Sequence, residues 1–229
     1  MNTTIIPQLI KKDFMIMRKV ILICGLVSLI SVGIISILYG RIPNGILVNI
    51  GFTLLITPPV TCGTILLMQT NVFEKEKSTQ SFIMSLPVTV KEFTMAKLLF
   101  NLPVFSAIWL LISGVAFYFC FRLGLFPLGT VPFITMVFLG VFVAYTCILS
   151  TSLLFQSLGI TVLSIGIFEV GTSAYLWVIT SLDPIKSTVY GPDIVWNSTA
   201  ITVVTLQTVV AIFMIIGTLF IQNKKRDFI

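Results

Sequence analysis

Long apolar runs separated by short polar breaks dominate this chain, and the run lengths are those of helices that cross a bilayer. A helix needs about 20 apolar residues to traverse roughly 30 Å of hydrocarbon. Runs of that kind predict spans over 20–39, 46–69, 98–121, 131–154, 158–180 and 199–221. Between them lie turn residues: Arg41, Pro43, Asn44 and Gly45 after the first span, Gly124, Pro127 and Gly129 after the third. A loop over 181–198 with Asp183, Pro184, Lys186, Pro192 and Asp193 precedes the sixth. The stretch 131–180 carries one charge, Glu169. As a single helix it would be roughly 75 Å long, too long for one crossing, so it divides at its weakest point, Phe155-Gln156-Ser157.

Ahead of the first span, Ile10, Phe14, Met17 and Ile21 fall on one stripe at helical spacing, with Lys11, Lys12, Arg18 and Lys19 opposite. That pattern predicts an amphipathic helix over 1–19 lying in the membrane interface before turning into the span, or else an ordinary basic flank of the first helix. No small-residue cleavage pattern follows the apolar stretch, so a cleaved leader is not expected.

Composition agrees with the pattern. The chain is 57% hydrophobic and 10% charged, with mean hydropathy +1.10, against about 25% charged in soluble domains. The fold class expected is an all-α integral membrane protein. The net charge of +6 does not point to nucleic acid, because the basic residues flank spans and form no stripe with interleaved aromatics. Their distribution sets orientation instead. With both termini cytoplasmic, 11 Lys and Arg fall inside, and Arg41, Arg122 and Lys186 outside. Tyr39, Trp177, Tyr190 and Trp196 then sit near the outer interface. The four cysteines lie in apolar runs without ligand spacing, and the chain has no histidine. Metal sites and His-dependent nucleophiles are therefore not expected.

The segment Asn71 to Lys97 stands out. Seven of the chain's charges sit there: Glu74, Lys75, Glu76, Lys77, Lys91, Glu92 and Lys97. Ser78-Thr79-Gln80-Ser81 can start a short helix, with Phe82, Ile83 and Leu86 as its apolar side and Pro87 as its stop. Thr89-Val90-Lys91-Glu92 reads as a capping box that opens a second helix leading into the third span. The plain alternative is a solvated loop carrying inside-positive charge.

The run from Glu74 through Thr79, Ser85-Leu86-Pro87-Val88 and Thr89 to Glu92, ending at Ala96-Lys97, resembles the first cytoplasmic loop of ABC-2 type transporter permeases. The likeness extends to the six-span layout with an amphipathic N-terminal helix and a basic tail. It implies the membrane subunit of a bacterial ATP-binding cassette exporter in the plasma membrane, with type V exporter-like architecture. It also implies a second permease subunit, identical or related, and a separate cytoplasmic ATPase that binds ATP and Mg. By the same resemblance, Glu74, Lys75, Glu76, Lys77, Ser78, Thr79, Phe82 and Leu86 would couple to the ATPase. Lys11, Lys12, Phe14 and Arg18 would belong to a connecting helix against the same surface. The chain has no phosphate-binding Gly-rich loop of its own, so it is not expected to be an enzyme.

Within the spans, Glu169 is the one formal charge deep in the membrane, at a cost of about 2–3 kcal/mol on insertion scales. It is expected to face a protein interior or a water-filled cavity, either on a substrate path or dimer interface, where it would attract cationic groups, or hydrogen-bonded near Thr172 or Ser173 as a packing residue. Pro58 and Pro59 should kink or break the second span, marking a candidate hinge or a static bend. Gly140 and Ala144 form a small-residue pair suited to close helix approach. Two other functions fit the same residues: a membrane anchor or signalling partner that holds a soluble protein, and an ion-coupled carrier using Glu169. An apolar cavity would suit amphipathic or hydrophobic cargo, such as peptides, lipid-like molecules or drugs.

Overall fold

The computed structural model describes residues 5–76 and 89–224. Six helices are long and apolar enough to cross a membrane, which makes this a multi-pass helical membrane protein. They are α1 (Ile5–Leu38), α2 (Asn44–Leu67), α3 (Val90–Phe121), α4 (Val131–Phe155), α5 (Leu158–Ser181) and α6 (Ser198–Lys224). No strand occurs among the described residues. The division expected at Phe155 is present: Gln156 adopts a left-handed conformation (φ 47°, ψ 38°) that ends α4, and its amide donates to Ser152 O. A residue in that region is a common helix stop.

The most enclosed span is α4, against which α6, α5, α3 and α2 all pack. Polar side chains tie it to its neighbours. Trp109 Nε1 of α3 donates to Phe138 O at 2.7 Å, Gln207 of α6 and Tyr175 of α5 both donate to Met136 O, and Gln222 of α6 donates to Leu153 O. Lipid offers no competing partner for such groups. Gly140 lies beneath Tyr175 and Gln207, where an added Cβ would stand 2.9 Å and 3.2 Å from them. Close approach at that glycine is therefore real, whereas Ala144 faces a groove.

Two sequence expectations are corrected here. No break separates an interfacial helix from the first span, since α1 is a single run of 34 residues, about 51 Å long. Its inward face is Leu9, Asp13, Met17, Cys24, Ser28, Ser31 and Ile35, so Phe14 is not on the packed stripe and is exposed. Packing against two other helices, rather than the interface, selects that face. Of the kink or break expected at Pro58 and Pro59, the break is absent, since α2 continues through both. They are buried by packing, and nearby threonine hydroxyls bond back to carbonyls along this stretch: Thr57 to Thr53 O, and Thr61 to Thr57 O and Pro58 O.

Candidate functional site

Both α1 and α3 exceed the membrane's needs, and the excess lies at one end of the bundle. Lys97 stands 24 residues before Phe121, about 36 Å from the far end of α3, and so past the roughly 30 Å of hydrocarbon. There α2 changes register. After Leu67 it passes into a π-helical turn, Met68–Val72, then a last helical turn, Phe73–Glu76. A π turn holds one extra residue and rotates the residues beyond it about the helix axis, a device that recurs at functional sites. Here it coincides with Thr70, Asn71, Val72 and Glu74 all being buried.

Those residues meet an ion cluster. Lys97, 1% exposed, places Nζ 2.7 Å from Glu74 Oε2 and 2.9 Å from Asp13 Oδ2. Lys12 Nζ pairs with Glu74 Oε1 and lies 3.3 Å from Asp13 Oδ1. Two ammonium groups thus neutralise two carboxylates. Asp13 reaches the cluster because it sits four residues from both Leu9 and Met17, on the face that packs inward. Leu9, Phe93 and Ala96 form one apolar patch at this end of the bundle, Met17 and Phe100 part of another, and Lys97 Nζ stands 5.3 Å from the centre of the Phe93 ring. Charges held this way are costly unless paired, and removing one partner strands the other.

Amides and hydroxyls extend the cluster inward. Asn101 Nδ2 donates to Lys97 O at 3.0 Å. The Thr70 hydroxyl donates to Leu66 O and lies 3.1 Å from Asn101 Oδ1. Asn71 Nδ2 donates to Ser152 Oγ of α4 at 3.1 Å, and the Tyr145 hydroxyl donates to Asn101 O at 3.2 Å. Four helices are bound into one polar node. It holds no nucleophile–base pair; what it can do is transmit a displacement of any one helix end to the others.

The capping box expected at the start of α3 is present in both directions. Thr89 Oγ1 accepts from the Glu92 amide at 3.2 Å, and the Thr89 amide donates to Glu92 Oε2 at 3.0 Å. Of the expected ATPase-coupling residues, Glu74 is in the ion cluster. Lys77, Ser78, Thr79, Phe82 and Leu86 lie outside the described residues, as do the side chains of Lys75 and Glu76. Lys11 and Arg18 are exposed on α1, and Lys12 turns toward Glu74. Asp13 is not legible as a site residue from the sequence, although an acid on an otherwise apolar i, i+4 stripe is the available signal. Lys97 reads there as a landmark rather than an ion partner, because its partners come from two other helices.

Glu169 lies at mid-span of α5, and its side chain is neither enclosed nor hydrogen-bonded to Thr172 or Ser173. Those hydroxyls donate to the carbonyls of Phe168 and Glu169. Instead it lines an open groove of about 210 Å³ between α2, α4 and α5, otherwise walled mainly by apolar side chains. A second cavity of about 380 Å³ continues the crevice toward the far end and shares Ile56 and Leu176 with it.

Compared with known protein families, curated proteins and solved structures, the chain finds no match in any of the three.

Proposed function

We infer that this chain is the permease subunit of an ATP-binding cassette exporter of the ABC-2 type. It would pair in the membrane with a second permease subunit and be driven by a separate cytoplasmic ATPase that supplies the ATP and Mg chemistry. The observation that carries this reading is the position of the ion cluster. Glu74 lies three residues before residues 77–88 and Lys97 nine residues after them, within the first turns of α3, and the two are paired. A force applied to that segment would therefore reach α2 and α3 together, and α1 through Asp13 and Lys12. The sequence signals in that segment, with Ser78 suited to start a helix, Pro87 to stop it, and Phe82 and Leu86 as apolar residues between them, suit docking in a protein cleft better than a simple tether does.

The excess of basic residues at the cluster end supports a cytoplasmic location for that end. Among the described residues, Lys11, Lys12, Arg18, Lys19, Lys91, Lys97 and Lys224 lie toward it, against Arg41, Arg122 and Lys186 at the other. The cargo fitting the apolar crevice is amphipathic or hydrophobic.

The test is to purify the chain from the cells that make it and identify what copurifies. An ATPase subunit bearing a phosphate-binding loop should come with it, and Phe82→Asp with Leu86→Asp should release that subunit while the permease still inserts. A stable complex without any ATPase would overturn the reading and favour a membrane anchor. Glu74 is a poor site for charge reversal, since a lysine there would face two more ammonium groups; Glu74→Gln is the usable variant.

A further inference from the structure

Glu169 is a carboxylate at mid-membrane depth with no ion pair and no side-chain hydrogen bond among the described residues. It sits eleven residues into α5, about 17 Å from the helix start. It borders a groove whose other walls include Val60, Phe105, Tyr145, Phe168 and Ser173. Phe105 and Tyr145 are stacked, with ring centres 3.6 Å apart. An acid beside apolar walls is poorly solvated, and a counter-charge stabilises its ionised form. Among the described residues a second copy of this chain does not supply one: Lys19 lies 19 residues before the far end of α1, about 28 Å, whereas Glu169 lies 12 residues before the far end of α5, about 18 Å, and the other basic residues are further from that depth. A neutral lipid chain would cover the walls and leave the carboxylate unpaired, and an anion would be repelled.

We propose that this groove binds a lipophilic monocation, with the positive centre against the Glu169 carboxylate and the apolar body against Phe105, Tyr145 and Phe168. One carboxylate in an apolar cleft is the usual division of labour in small-molecule sites, where walls give affinity and a few polar groups give selectivity. The groove's volume is below that of drug-sized pockets, so the ligand extends into the adjoining cavity past Ile56 and Leu176. The binding claim stands on the groove; that the bound cation is cargo rests on the exporter reading.

Tetraphenylphosphonium and tetraphenylborate give opposite charges on nearly one shape. Each is titrated against the purified protein in nanodiscs of phosphatidylcholine, with empty nanodiscs subtracted. The wild type should bind the phosphonium saturably and at least tenfold more tightly than the borate. Glu169→Gln should weaken phosphonium binding about tenfold, Glu169→Asp should weaken it less, and Ala144→Phe, which fills the groove, should abolish it. Equal binding of the two ions, or unchanged phosphonium binding in Glu169→Gln, overturns the proposal. Should Glu169→Gln not fold, the comparison of the two ions on the unaltered protein decides alone. Adding the copurified ATPase separates the two readings. Binding without any change in ATP turnover would sink the cargo role and keep the site; ATP-driven export of other compounds without phosphonium binding would sink the site and keep the exporter reading.

Discussion

Lys97 of α3 places its ammonium 2.7 Å from the carboxylate of Glu74, at the end of α2, across the segment that separates the two helices. With Asp13 at 2.9 Å on its other side, it is the only described lysine that is fully enclosed by the protein. The contrast with Lys12, whose side chain is 28% exposed, sets the first expectation.

Lys97→Met should destabilise the folded protein by about 3–5 kcal/mol, because it leaves Asp13 and Glu74 buried beside a single remaining cation. Lys12→Met also leaves two carboxylates beside one cation, but should cost less, about 1–2 kcal/mol, because the Lys12 side chain is 28% exposed and water can reach the place it vacates. Combining Lys97→Met with Asp13→Leu should recover part of the loss, as the stranded charge goes too. Unfolding in mixed micelles measures all three. Equal losses for Lys97→Met and Lys12→Met would refute the burial argument.

Three glycines should respond in opposite directions to alanine. At Gly129 an added Cβ would lie 2.0 Å from the backbone oxygen of Thr188, and at Gly63 it would lie 2.8 Å from the Tyr145 ring. Each substitution should cost about 1–3 kcal/mol through overpacking, with Gly129→Ala the worse because backbone cannot rotate away. Gly171 in α5 has open space around it, so Gly171→Ala should be neutral or stabilising by up to about 1 kcal/mol from helix propensity. Thermal unfolding of the purified variants checks the order.

Thr89→Ala removes the side-chain half of the capping box, the acceptor of the Glu92 amide, while the backbone amide at that position can still donate to Glu92 Oε2; it should cost about 1 kcal/mol. The effect should be local, appearing as faster amide exchange in the first turn of α3 with little change in α4. A uniform rise in exchange across the bundle would show that Thr89 does more than cap.

Orientation can be read with cysteines. All four native cysteines are buried. In a background with them replaced, Lys186→Cys should react with an impermeant maleimide on intact cells, and Lys91→Cys only after permeabilisation. The reverse pattern would invert the topology and with it the coupling proposal.

The spans are readable from the sequence because lipid imposes a simple demand: each crossing must satisfy its own backbone and present apolar side chains over a fixed thickness. That demand is local, so 131–154 and 158–180 are separable from composition and one weak point, and the helices there are Val131–Phe155 and Leu158–Ser181. The cap at Thr89 is readable for the same reason, as its partners are three residues apart. The inward face of α1 is not, because in a membrane both faces of a helix are apolar and periodicity no longer tells packing from lipid.

The order of residues alone thus specifies the number of spanning helices, their approximate limits and the charge at their ends. Which charges meet depends on the packed bundle. Asp13, Glu74 and Lys97 are separated by 61 and 23 residues, and they come together because α1, the π turn after α2 and α3 pack at one end. The same packing leaves Glu169 bordering an open groove rather than a closed interior. Long-range pairing depends on how helices pack side by side, and a run of apolar residues specifies that a helix crosses the membrane without specifying its neighbours.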